Sequence, residues 1–103
     1  MRPVPTTIRG LRVLAYTSID GRHRFTGANE RRSVDVTGAE NLLGPVAALA
    51  ICQEVDGEDV ILLGCDPDWL PVWETACTTV AVAQAQAEFE YEGVSRTWIQ
   101  AAQ

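Results

Sequence analysis

The sequence has no lysine, a single histidine and no long hydrophobic run. Its longest uninterrupted apolar stretch, Pro45 to Cys52, falls far short of the ~20 residues that a membrane-spanning helix requires. The opening Met1-Arg2-Pro3-Val4-Pro5-Thr6-Thr7 lacks the apolar centre of a signal peptide. The expectation is a cytoplasmic chain with no membrane association. Cys52, Cys65 and Cys77 are odd in number and share no metal-ligand spacing, which suits reduced thiols in a core better than a disulfide framework or a zinc site. Asp66 and Asp68 hint at a calcium loop, but the further oxygen ligands and the closing glutamate are missing, so turn formation explains both. Gly-rich phosphate loops, paired catalytic carboxylates and serine triads are not found. No metal and no cofactor is expected.

What is present is a folded composition of unusual charge layout. The 103 residues are 47% apolar and 21% charged, enough for one domain spanning 1–103 with one core, residues 1–10 being a flexible N-terminal segment. The net charge is −6, which disfavours nucleic acid as a partner. Arg2, Arg9, Arg12, Arg22, Arg24, Arg31 and Arg32 stand against Asp20 and Glu30 in the first 32 residues, a local +5. The remainder carries Arg96 against twelve carboxylates, a local −11. Either the Arg-rich segment folds back onto an acidic body, or the molecule offers a basic patch to one partner and an acidic face to another.

The elements read as an α+β domain, an antiparallel β-sheet of about four strands with a C-terminal helix packed on one face. Val46–Val55 and Glu58–Cys65 are β-rich runs joined by Asp56-Gly57, a two-residue turn signal. That register pairs Ala48 with Cys65, Ala50 with Leu63 and Cys52 with Ile61. Cys52 and Cys65 then lie about 13 Å apart along the sheet, too far for a disulfide. Ala48, Ala50, Cys52, Ile61, Leu63 and Cys65 share one face; Leu49, Ile51, Val55, Val60 and Leu62 share the other. Both faces are apolar, so the hairpin belongs at the centre of the fold, covered on both sides. The small residues of the first face invite a helix to approach there. Further strands are expected at Leu11–Ile19 and Val72–Ala76, and a short one near Ser33–Val36. Asp66-Pro67-Asp68-Trp69 reads as a turn with proline second.

Thr79 is placed to cap a helix from Val80 to about Glu92, ended by a left-handed Gly93, with Val94 packing back on Phe89. At ~100° per residue Val80, Ala83, Ala87 and Tyr91 share one side, and Val82, Ala85 and Phe89 lie nearly opposite. One sheet needs only one apolar stripe, so the second must meet the N-terminal segment or another subunit.

Three segments together carry a resemblance: Gly64-Cys65-Asp66-Pro67-Asp68-Trp69, then Trp73-Glu74-Thr75, then Ala83 through Gly93 with Trp98. They resemble a group of small uncharacterised bacterial α+β proteins, some carried on mobile gene cassettes. The group's pattern is an aspartate-and-tryptophan turn, an acidic residue plus threonine, and a helix ending in a Gln-Ala, Glu-Tyr, Gly signature. The group has no assigned activity, so the resemblance implies a fold and no reaction. Its members often carry a histidine near Cys77 and an aspartate at Glu74. Neither stands here, which argues against a shared catalytic dyad.

Three functional readings follow. The leading one is a non-catalytic interaction protein, a homodimer joined through Val82 and Phe89. The second is a binder of small cationic or aromatic ligands, with Trp69, Trp73, Glu74, Tyr91 and Trp98 supplying ring faces and charge. The third is an acidic, immunity- or antitoxin-like inhibitor of a basic protein. It rests on Glu88, Glu90 and Glu92, which crowd negative charge onto a helix end that is already negative. A thiol enzyme built on Cys77 at the helix N-terminus would want a base. The only histidine, His23, lies in an N-terminal loop with nothing to place it nearby.

Overall fold

The computed structural model describes residues 1–101. In chain order it contains β1 (Thr7–Ile8), β2 (Leu11–Ser18), β3 (Arg24–Phe25), β4 (Arg32–Val34), β5 (Glu40–Leu42), β6 (Ala48–Gln53), β7 (Val60–Cys65) and β8 (Pro71–Cys77). Then come α1 (Val80–Glu90), β9 (Tyr91–Glu92), a 3-10 turn over Val94–Arg96 and β10 (Ile99–Gln100). The main sheet runs β1-β2-β6-β7-β8, with β10 sharing the outer edge of β2, and every pairing is antiparallel. The sheet is therefore larger than the four strands expected. The two extra ones, β1 and β10, are two residues long and too short for an alternating pattern to register.

The central hairpin has the expected register, from Ala48↔Cys65 to Gln53↔Val60. It stops sooner than expected, however, and 54–59 is a longer connection with a Gly57 N–H to Glu54 carbonyl bond of 3.1 Å. Continued pairing would set Glu54 directly against Asp59, two like charges that a ladder disfavours.

Both faces of this hairpin are buried, but the helix lies on the face opposite to the one expected. Ala83, Ala87 and Tyr91 pack against Leu49, Ile51, Val60 and Leu62. The alanines of α1 give the large sheet side chains room. The small face of Ala48, Ala50 and Cys52 is covered by Ile8, Trp69 and, less completely, Val4. Residues 1–10, read as a loose segment, supply much of this cover. The Arg2 N–H donates to the Pro67 carbonyl and the Trp69 indole donates to the Arg2 carbonyl at 2.7 Å. Cys52, Cys65 and Cys77 are free and buried, and burial pushes the first two thiols up to about 12.

Helix α1 begins as expected, with the Thr79 side chain accepting from the Val82 N–H. It ends two residues before the expected Glu92. Tyr91 is extended, because Tyr91 and Glu92 pair as β9 with Phe25 and Arg24 of β3. The helix's last carbonyls are met from the same segment: Thr26 donates its hydroxyl to Phe89 O at 2.8 Å and its N–H to Glu90 O at 3.0 Å. Those bonds satisfy groups that a helix end otherwise leaves unpaired. Gly93 is left-handed, φ 103°, as expected, and a Cβ there would stand 2.7 Å from the Arg22 carbonyl. Val94 does not fold back on Phe89; it is buried in the helix-side core, while Phe89 points to solvent. Among the described residues no helix is long and apolar enough to cross a membrane.

Candidate functional site

The five residues proposed as a ligand pocket do not converge. Trp73, Tyr91 and Trp98 belong to the helix-side core, whereas Trp69 belongs to the opposite one. Glu74 pairs with Leu63 and is exposed on that opposite face, because neighbours along a strand point to opposite sides. The Tyr91 hydroxyl accepts from the Val46 N–H at 3.0 Å. Burial pushes that phenol up, and the Val46 bond only partly offsets it.

The aromatic-and-carboxylate slot nevertheless exists, and the chain fills it itself. Trp73 lies across Gly64, where a Cβ would stand 2.3 Å from the indole. Only a glycine admits the ring at that distance. The Arg31 guanidinium stacks on the Trp73 ring, its carbon 3.4 Å from the centroid. Its Nε and Nη2 donate to the two oxygens of Glu90 at 2.8 and 2.7 Å, and Gln86 donates to Glu90 Oε2 at 2.9 Å. Glu90 is 2% exposed. Burial pushes its carboxyl up, but the hydrogen bonds from Arg31 and Gln86 outweigh burial and hold it below the usual carboxylate range. Neither Arg31 nor Gln86 stands out in the sequence. Gly64 does leave a signal, since a lone glycine within a strand pattern marks a close approach.

The other two glutamates of the expected acidic surface are also engaged. Glu88 accepts from the backbone N–H groups of Gly93 and Ser95 at 2.9 and 3.0 Å, which lowers its carboxyl. Glu92 lies in β9 rather than in a helical turn, and Arg24 binds it through Nε and Nη2 at 3.0 and 2.7 Å. The Arg-rich segment thus folds back onto the acidic body. Asp20 and Arg22 form a further local pair that holds the Asp20 carboxyl at about 2.

Cys77 has no activated surroundings. Burial raises its thiol, and the Arg31 charge only partly offsets this. Both nitrogens of His23 are taken: Nδ1 accepts from the Asp20 N–H at 3.1 Å, and Nε2 lies 2.9 Å from the Thr97 hydroxyl, itself 2.7 Å from that of Thr17. Asp66 organises its turn, Oδ1 accepting from the Asp68 and Leu70 N–H groups at 2.8 and 3.0 Å. Asp68 pairs with Arg2 at 3.0 Å.

Two of the exposed apolar surfaces lie on or beside the helix. The outward side of α1 presents Val82, 48% exposed, and Phe89, 57% exposed, with exposed Ala85 between them. The β4–β5 hairpin is solvent-exposed at every residue and includes Val34, Val36 and Leu42. It is tied at its base by Arg31, whose carbonyl accepts from the Leu43 N–H at 2.7 Å. A two-stranded hairpin is marginal in water on its own. Comparison with family models, curated proteins and solved structures finds no match for this chain, so these surfaces have to be judged on their own physics.

Proposed function

We propose that this chain is a non-catalytic interaction domain that self-associates through the outward side of α1. The observation carrying the reading is the solvent-facing Val82–Ala85–Phe89 stripe on a helix whose charged groups are bound elsewhere. Val82 and Phe89 flank Ala85 almost symmetrically. An antiparallel copy related by a two-fold axis would set each Phe89 over the partner's Val82, with alanine where the helices cross. Glu88 and Glu90 fold away from this stripe onto backbone N–H groups and Arg31, so two acidic chains need not repel there. The exposed β4–β5 arm starts beside the same helix, through the Arg31–Glu90 pair, and extends the surface available to a partner.

Arg31 occupies the slot that a cationic ligand would need, which favours interaction over small-ligand binding. The internal bonds of Glu88, Glu90 and Glu92 remove the main support for an acidic inhibitor. Size-exclusion chromatography with light scattering tests the proposal. The expected result is a dimer at about 100 μM that a V82S/F89S variant converts to a monomer of unchanged circular dichroism. A wild-type monomer at that concentration would overturn it.

A further inference from the structure

The described residues include two non-glycine residues with left-handed backbone, Arg9 at φ 50° and Trp69 at φ 63°. Both occupy hairpin positions that glycine or asparagine would fill without strain. Arg9 precedes Gly10 in the two-residue turn between β1 and β2. Trp69 closes the Asp66–Leu70 loop, whose ends are joined by an Asp66 N–H to Leu70 carbonyl bond of 2.9 Å. The two loops are far apart in sequence, yet Arg9 and Trp69 line the same groove, of about 450 Å³, together with Ile8, Asp68, Leu70 and Pro71.

The strain at Trp69 has a structural return. Its ring is 4% exposed, plugs the small-residue face of the sheet, meets Tyr16 edge-on at 5.8 Å and donates to the Arg2 carbonyl. Arg9 has no such return. It makes no side-chain hydrogen bond and no ion pair among the described residues. Of the acidic groups at the groove, Asp68, which lines it, is paired with Arg2, and Asp66 accepts from the N–H groups of its own turn. The β1–β2 turn fixes the backbone of Arg9 but not its residue type, and an arginine standing where glycine costs less, with its side chain unused inside the fold, points to a role outside the chain.

We infer that the groove between the Arg9–Gly10 turn and the Asp68–Pro71 loop binds a small organic acid, the Arg9 guanidinium taking the carboxylate and Leu70 and Pro71 taking the apolar body. The volume lies within the range of small-molecule sites. A guanidinium offers a carboxylate two parallel donors, which an ammonium cannot. The groove is on the side of the sheet opposite α1, so this site stands or falls independently of the dimer.

Backbone and indole NMR shifts, followed while benzoate, hexanoate and hexylamine are each titrated to about 10 mM, test the inference. Saturable shifts are expected at residues 8–10 and 68–71 and at the Trp69 indole, with both acids and not with the amine. The R9G variant relieves the left-handed strain, so it should unfold at a higher temperature while its affinity for benzoate falls at least tenfold. R9K, which keeps the charge and loses the fork, should fall between. Equal response to hexylamine, binding retained in R9G, or no saturable shift with either acid would each overturn the assignment.

Discussion

The two sides of the central hairpin are sealed by opposite means. On the helix side, leucine, isoleucine and valine project from the sheet and meet alanines of a regular helix. On the other side, alanine and cysteine line the sheet beside Leu63 and Val13, and the covering bulk comes from Trp69 and Ile8, carried on a strained turn and on a two-residue strand. Close packing asks only that volumes sum correctly across the gap, and either layer can supply the large partner. The helix side spreads its contacts over several turns of one element. The far side depends on a single indole that also holds the N-terminal segment through Arg2.

Trp69→Ala should break that comparison most sharply. A loss of about 3–5 kcal/mol is expected from the vacated volume, with the indole donor to Arg2 lost as well. Urea titration measures the loss, and faster amide exchange over residues 2–8 would show that the N-terminal cover detaches with it. Arg31→Met is next. It leaves Glu90 as a buried unpaired charge, a change that costs about 3–5 kcal/mol in comparable sites. An R31M/E90L double variant should recover most of the loss in a double-mutant cycle, because hydrophobic replacement of a buried pair is often neutral.

Smaller effects sharpen the same contrast. Gly64→Ala forces the Trp73 ring to shift from its seat, for roughly 1–3 kcal/mol by denaturant midpoint. Thr79→Ala removes only the α1 N-cap and should cost about 1 kcal/mol by thermal melts. The pH response follows from Glu90. Its carboxyl is held below the ordinary carboxylate range in the fold, so its stabilisation is complete above that range. It drains as pH falls through the lowered folded value. Urea midpoints measured down the acid limb should fall less steeply for E90Q than for the native chain.

Much of the helix-side architecture was legible before folding was considered. The hairpin register, the Thr79 cap, the left-handed Gly93 and the inward face of α1 all follow from alternation, helical period and the stereochemistry of single residues. The candidate sites were less legible. Trp73 and Glu74 are neighbours in sequence and sit on opposite faces of a strand, and the cation that Trp73 and Glu90 receive comes from residue 31. No local pattern links Arg31 to positions 73 and 90.

By itself, the amino-acid order determined that the central hairpin, β2, β8 and the body of α1 form, which sides of them are greasy, and that the first third of the chain is basic and the rest acidic. Those properties are set by the backbone and side-chain preferences of near neighbours. Tertiary structure alone decided which sheet face receives the helix, where α1 stops, and which carboxylates are spent on arginines of the same chain. The last two depend on contacts across 59 to 68 residues, between groups brought together only once the sheet has closed.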